Sequence, residues 1–247
     1  MTTKNPQFYF QHNGYCCLCE RDVVFFADGP YLRNTLRCPV CDLTPRYRAF
    51  FHTLNKFFPN WREMDIHESS PGWDLVSQRL SKEAKSYVGT QWDSSIAFGT
   101  RHEKGYRSED LQAQTFESES FDLVVTQDVF EHIFEPGRAI KEIARTLRPG
   151  GAFVSTVPIV KKTRPSSRRA SLVDGAIVHH ADPEYHGNPL SKDGSLVTID
   201  WGYDIVGYLQ HHSGLNFLMV QIDNIDLGIR ADLIEVLVGI KREVPRL

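Results

Sequence analysis

All five cysteines of this 247-residue chain, Cys16, Cys17, Cys19, Cys38 and Cys41, fall within 26 consecutive residues. Two C-x-x-C knuckles, Cys16 to Cys19 and Cys38 to Cys41, stand 18 residues apart. Each can present two thiolates on a tight turn toward one tetrahedral ion, so the spacing predicts a four-cysteine module built on zinc. Four sulfur ligands close the coordination sphere, which makes the expected Zn2+ structural rather than catalytic. Cys17 is then the spare thiol, because using it in place of Cys16 would tighten the knuckle to C-x-C. Two disulfides with one free thiol are the competing reading. Against them, the first thirty residues carry cysteines and charges where a secretory signal would place an uninterrupted apolar segment, which points to a reducing, cytoplasmic setting. A redox pair is a minor alternative, since no βαβ unit surrounds either knuckle.

Apolar residues make up 41% and charged residues 24%, so the chain has the apolar content to bury a full core. Lys plus Arg is 28 and Asp plus Glu is 31, giving 28 − 31 = −3, and no whole-molecule positive field exists to hold a nucleic-acid backbone. No apolar run approaches the roughly 20 residues that span a bilayer, and no membrane partner is expected. Oligomeric state is not legible in the sequence.

After the second knuckle, Pro45 opens a helix whose Phe50, Phe51, Leu54, Phe57 and Phe58 recur at helical spacing before Pro59, a connecting helix over residues 46–60. Arg46 and Arg48 near its start are assigned no role. From Trp61 onward, short apolar runs alternate with amphipathic segments, the pattern of a parallel sheet covered by helices. Strands are expected at Met64 to Glu68, Ser86 to Thr90, Tyr106 to Leu111, Phe121 to Thr126 and Ala152 to Val157, with helices over Trp73 to Leu80 and from Pro136 to Leu147. Residues 158–200, rich in Pro, Gly, His and Ser, are too long for a passive connection and read as a lid or pocket-forming insertion. In it, Tyr185, His186 and Asn188 offer hydrogen-bonding groups around a rigid His186–Pro189 turn, and Lys161 to Arg169 is a mobile, dispensable part. A helix over Tyr203 to His212 and strands at Asn216 to Ile222 and Leu233 to Arg242 follow. Only ten residues link those two strands, so they should pair antiparallel. The expected fold is α/β, a seven-stranded mostly parallel sheet ending in an antiparallel hairpin, over residues 61–247, behind a four-cysteine zinc-ribbon-like module over 1–45.

These pieces resemble the class I S-adenosylmethionine-dependent methyltransferases over residues 61–244, most specifically from Ser108 to Pro158. The N-terminal cysteines with Pro45-Arg46-Tyr47-Arg48, and the later EYHGNPL and GSLVTIDWGYD segments, are similar to a zinc-ribbon-bearing subgroup. In open α/β sheets, ligands sit beyond the carboxyl ends of the strands. The resemblance accordingly implies an S-adenosylmethionine site from Glu68, Ser69, Ser70 and Gly72 after the first strand, where Gly72 alone remains of the family's glycines. After the second strand, Gln91 stands where the family has a ribose-binding acid, with Asp93 a weaker substitute. After the third, Asp110 would accept from the adenine amine while Leu111 packs on the ring. After the fourth, Gln127 and Asp128 would meet the amino-acid part and line the methyl path.

Methyl transfer is an in-line displacement in which the protein aligns a nucleophile and excludes water. For a hydroxyl acceptor, His132 is the first candidate base, Asp128 the second, and His186 faces the acceptor from the insertion. His179, His180 and His186 near Asp182 and Glu184 match no metal-binding spacing, and no second metal is expected. The function implied is methyl transfer to a small-molecule or saccharide-type acceptor. An RNA methyltransferase that grips nucleic acid with its zinc ribbon is disfavoured but left open, because Arg21, Arg33 and Arg37 are scattered. A cofactor-binding module without turnover is the third reading.

Overall fold

The computed structural model describes residues 9–188 and 190–243. Pro189, the end of the predicted His186–Pro189 turn, and residues 1–8 and 244–247, the outer ends of the predicted domains, lie outside the described residues. The chain begins with an antiparallel hairpin, β1 (Phe10–Cys16) and β2 (Arg21–Ala27), which is joined after a short helix, α1 (Leu32–Thr35), by β3 (Leu36–Arg37). Pro45, at the first turn where a missing N–H costs nothing, starts α2 (Pro45–Phe57).

There follow β4 (Asp65–Ser69), α3 (Leu75–Glu83), β5 (Ser86–Gln91), β6 (Arg107–Ser108), β7 (Phe121–Gln127), α4 (Pro136–Thr146) and β8 (Leu147–Thr156). The insertion contains β9 (Ser167–Arg168), β10 (Ala170–Val173), β11 (Ala176–His179), β12 (Tyr185–His186), β13 (Ser195–Leu196) and β14 (Ile199–Asp200). The chain closes with α5 (Ile205–Ser213), β15 (Asn216–Val220) and β16 (Val236–Ile240).

Among the described residues, seven strands form the main sheet in the order β15-β16-β8-β7-β4-β5-β6. The strands from β4 to β8 run parallel, and β16 is antiparallel to both β8 and β15. The reversed hairpin expected from the short final link is therefore present. Strand β7 is apolar on both faces because both are covered. Leu123 and Val125 join Val154, Val236 and Val238 beneath α2, α3 and the N-terminal ribbon, while Val124, Phe153 and Leu237 pack with α4 and α5 on the other side. The ribbon is no separate bead, since its Leu18, Phe25 and Leu36 share one core with Phe50, Phe51, Ile66 and Leu80.

Several boundaries differ from the sequence reading, three of them with a plain physical cause. Leu147, expected on the face of α4, opens β8 instead. The strand pairs with β7 first at Phe121↔Leu147 and then, after a register shift, at Leu123↔Ala152, so Arg148 to Gly151 form a bulge inside the strand. Gly151 is required there, because a Cβ would lie 2.8 Å from the Arg148 carbonyl oxygen and 3.0 Å from that of Asp122. The Lys241 ammonium donates to the carbonyls of Ala144 and Leu147, which satisfies the helix end. Helix α3 starts at Leu75 rather than Trp73, capped by the Asp74 carboxylate accepting from the amides of Val76 and Ser77. The third parallel strand shrinks to β6, because a covering loop at the sheet edge takes up both backbone groups of Ser108, its amide donating to the Thr100 carbonyl and its carbonyl accepting from the Gly99 amide.

Candidate functional site

The four-cysteine centre is built by two similar turns. The Glu20 amide donates to the Cys16 carbonyl and the Asp42 amide to the Cys38 carbonyl, and Glu20 and Asp42, each one residue past its knuckle, are left-handed at φ 54° and 57°. The four sulfurs of Cys16, Cys19, Cys38 and Cys41 lie within 4.8 Å of one another. Cys16 and Cys41 are 4.0 Å apart and Cys19 and Cys38 3.7 Å, with all thiols free. Sulfurs about 2.3 Å from one tetrahedral ion stand about 3.8 Å apart, so these residues fit zinc. Cys17 turns away toward the Arg48 carbonyl at 3.7 Å, and burial pushes its thiol up to about 12.

Arg46 and Arg48, left without a role by the sequence reading, both have one. Arg48 is fully buried and donates to the carbonyls of Gly228 (2.9 Å), Leu36 (2.9 Å) and Leu43. It ties the ribbon to the segment before β16 and brings a positive charge near the thiols. Gly228, left-handed at φ 63°, permits the approach, since a Cβ there would meet the Phe25 ring at 2.6 Å. Arg46 and Arg33 both reach Asp128, Arg33 at 2.7 Å.

The predicted cofactor residues gather at the carboxyl ends of β4 to β7. Glu68 is buried, with Ser77 Oγ donating to one carboxylate oxygen at 2.8 Å and Tyr87 Oη to the other at 2.7 Å. Burial pushes its carboxyl up to about 7 against the pull of those hydroxyls. Ser69 ends the strand. The left-handed positions of the loop are Ser70 (φ 57°) and Trp73 (φ 61°) rather than Gly72, whose missing Cβ would sit 2.9 Å from the capping Asp74 carboxylate. Gln91 is buried and donates to the Pro71 carbonyl at 3.1 Å, fastening this loop to β5. Asp93 is occupied by Tyr106 Oη at 2.6 Å and by Ser95. One oxygen of Asp110 accepts from the Gln112 amide at 2.8 Å and its side chain at 3.1 Å, while Leu111 is buried beside it. Among the described residues, Gln127 keeps a buried side-chain oxygen without a partner, which suits a polar ligand.

Glu68 yields a pH signature. Its pKa is raised above the ordinary 4.5, so its contribution to stability is fully present below pH 4.5 and is lost as pH rises through about 7. Glu68→Gln, permanently neutral, is expected to remove this decline. Urea midpoints that fall equally for both proteins over that interval would show that Glu68 is ionised in the fold.

Asp128, the second candidate base, is an ion-paired carboxylate. Burial alone would push its carboxyl up, but the Arg46 and Arg33 guanidiniums hold it below the usual range, and Thr156 Oγ1 donates to it at 2.9 Å. A carboxylate so held is a poor proton acceptor, which leaves the two histidines as the remaining candidates for a base. His132 lies on the turn after β7, and its Nδ1 is 2.9 Å from the Leu196 carbonyl. His186 packs against it with ring centroids 5.1 Å apart. Between them sits Glu131, only 3% exposed, a residue the sequence reading passed over.

Glu131 and His186 line a cavity of about 230 Å³ with Arg169, Glu184, Asp200 and other residues of the insertion. The insertion is thus a set of short antiparallel pairs, β10 with β11, β12 with β13 and β9 with β14, of which His186 on β12 and Ile199 and Asp200 on β14 line the cavity. Two expectations about it change. Tyr185 points outward at 56% exposure, and Asn188 is used within its own turn, bonding Ser195 Oγ and the Leu190 amide. The stretch from Lys161 to Arg169, expected to be dispensable, carries β9 and the Arg169 ion pairs to Asp200 and Glu184. Of the residues missed, Arg33, Arg46 and Glu131 carried no spacing signal, because their partners are distant in sequence.

Residues 68–155 match the family model described as a methyltransferase domain. A ubiquinone biosynthesis O-methyltransferase from Coxiella burnetii is 29% identical over 94 residues, covering 35% of this chain. The chain spans about 40% of the length of the curated relatives it matches. A structure of an S-adenosylmethionine-dependent methyltransferase from Mesorhizobium loti superposes with a TM-score of 0.53 at 16% identity, covering 78% of this chain and 98% of that one. The Burkholderia thailandensis 1,6-didemethyltoxoflavin-N1-methyltransferase, solved with 1,6-didemethyltoxoflavin and S-adenosylhomocysteine, gives 0.51 at 12% identity, covering 80% and 79%. Sheet order, reversed hairpin and sequence match agree: the chain has the class I S-adenosylmethionine-dependent methyltransferase fold, and its residues 68–155 match the methyltransferase-domain model.

Proposed function

We propose that the protein is an S-adenosylmethionine-dependent methyltransferase whose acceptor is a small molecule or saccharide presenting a hydroxyl. The observation that carries this reading is the position of the cavity. Glu131 follows β7 and Pro158 follows β8, so the cavity opens at the same carboxyl edge as Glu68, Asp110 and Gln127. Its size suits a sugar-sized or ring-sized molecule. Its wall mixes charged groups with Val160, Val197 and Ile199, the polar-on-apolar lining that orients a hydroxylated ligand.

The bound cofactor would supply an electrophilic methyl on a sulfonium. The chain's own residues do the rest. Asp110, its carboxylate oriented by Gln112 with the longer contact of 3.5 Å on Oδ2, offers that oxygen to an exocyclic amine, and Leu111 gives an apolar seat. Gln127 offers its unpaired oxygen to the ammonium of the amino-acid part. Arg46, held over the end of β7 by Asp128, is placed for the carboxylate. The Glu131–His132–His186 cluster faces the acceptor hydroxyl. Zinc in the four-cysteine centre fixes the ribbon, and through it Arg33 and Arg46, against the domain.

The ribbon's arginines weigh against nucleic-acid binding, since Arg33, Arg46 and Arg48 turn inward and Arg37 pairs with Asp42. The relative's name, an O-methyltransferase, favours oxygen as the acceptor atom.

Calorimetric titration with S-adenosylmethionine tests the reading. Asp110→Ala is expected to weaken binding by about 1 to 3 kcal/mol with an unchanged melting temperature, the cost of losing a hydrogen bond at a desolvated site. His186→Ala should lower methyl incorporation with cofactor affinity retained, whereas Tyr185→Phe should be neutral. No heat of binding by the parent protein would leave a fold without the activity.

A further inference from the structure

We propose that Glu131, His132 and His186 form a binding site for a divalent transition-metal ion on the wall of the cavity, separate from the four-cysteine centre. His132 Nε2 stands 3.7 Å and His186 Nδ1 3.8 Å from the same Glu131 oxygen, and the three ligand atoms lie within 4.8 Å of one another. Those separations are too long for hydrogen bonds. Ligands about 2.1 Å from a shared ion stand about 3 to 3.5 Å apart, so the two Glu131 separations close by a few tenths of an ångström and the imidazole pair, within 4.8 Å, by about an ångström at most.

The outward nitrogens are fixed as a metal requires. His132 Nδ1–H donates to the Leu196 carbonyl at 2.9 Å, and His186 Nε2–H donates to the Glu184 carboxylate at 3.4 Å. Each ring therefore turns a lone pair inward, the arrangement by which carbonyls and carboxylates orient metal-binding imidazoles. The second observation is Glu131 itself. Its side chain is 3% exposed, and among the described residues neither carboxylate oxygen has a partner within hydrogen-bond distance, its ion-pair partners being the same two imidazoles at 3.7 and 3.8 Å. A buried carboxylate in that condition calls for a cation. The cavity's own cations are committed elsewhere, Arg169 to Asp200 and Glu184, and Lys161 to Asp200 at 3.5 Å.

Two imidazoles and one carboxylate select a first-row transition ion, such as zinc, manganese or iron(II), over calcium or magnesium, and leave coordination positions open toward the cavity. Binding of the ion stands on these residues alone. That it would hold the acceptor's oxygen rests on the proposed function.

The test uses the full chain loaded with one equivalent of zinc, which the four-thiolate centre takes while the cavity site is left open, then titrated with cobalt(II). One further cobalt per chain is expected, with ligand-field absorption but without a thiolate-to-cobalt charge-transfer band. Glu131→Gln and His186→Ala should each weaken that binding at least ten-fold, and Glu184→Gln about ten-fold, as for other residues that orient a metal ligand. Retained zinc and an unchanged melting temperature certify that the variants are folded. Absence of cobalt uptake by the parent chain, or uptake unaffected by Glu131→Gln and His186→Ala, overturns the site. Neither outcome touches the S-adenosylmethionine titration, so loss of the metal site and loss of the methyltransferase reading are distinguishable.

Discussion

Cys38→Ser is expected to release zinc and to destabilise the whole chain, well beyond the ribbon that contains it. Structural zinc contributes about 10 to 16 kcal/mol to the folding of small modules, because the four-thiolate site does not pre-exist in the unfolded chain. Read from sequence alone, the damage would stop near residue 45. The packing argues otherwise, since buried Leu18, Phe25 and Leu36 share one core with Phe50, Phe51 and Trp61, and that core continues to Ile66 and Leu123 of the sheet. Opening the ribbon also strands Arg48, whose acceptors on Leu36 and Leu43 move away while its charge stays buried. Zinc content after gel filtration and the thermal midpoint of the whole protein are the measurements. Cys17→Ser is the control and should keep its metal, because that thiol faces a carbonyl instead. A Cys38→Ser protein that keeps zinc, or melts at the parent's temperature, would refute the four-cysteine assignment.

How much of this was legible beforehand follows from what each feature depends on. The knuckles, the buried run of β7 and the amphipathic stripe of α4 are local patterns, readable from neighbours within a few residues. The reversed hairpin was readable from loop length alone, although β15 and β16 are shorter than predicted. The bulge in β8 was not, because Arg148-Pro149-Gly150-Gly151 has the chemistry of a helix stop. Only the parallel partner, pairing at Leu147 and again at Ala152, shows that the strand already runs through it. The loop after β4 misled in another way. Gly72 is the one glycine the resemblance finds there, yet the left-handed residues are Ser70 and Trp73, held by the Ser70 amide donating to the Thr90 carbonyl and by the Asp74 cap. The cluster around Glu131 joins residues 131–132 to residue 186 through β12 and β13, a juxtaposition that no spacing encodes.

Asp128→Asn should produce the second large effect, through charge rather than volume. Its carboxylate, the left-handed residue at the end of β7, is shared by Arg33 from the ribbon and Arg46 from the start of α2, and Thr156 Oγ1 holds its other oxygen. Both guanidiniums are mostly buried, at 14% and 21% side-chain exposure. An amide leaves two like charges facing each other with no counter-ion, a loss of about 3 kcal/mol for breaking a buried pair from one side. The sign of the pH dependence follows from the depressed pKa. An acid that titrates below its ordinary 3.8 in the fold contributes stability that is present above that value and is lost as pH falls through the folded-state pKa. The gap between parent and Asp128→Asn is therefore expected to be constant from neutral pH down to about pH 4 and to close below it. Urea midpoints across that range measure it directly. A gap that widens on acidification, or none at neutral pH, would mean that the two arginines find compensation elsewhere and that Asp128 is free for the proton chemistry its ion pairs now argue against.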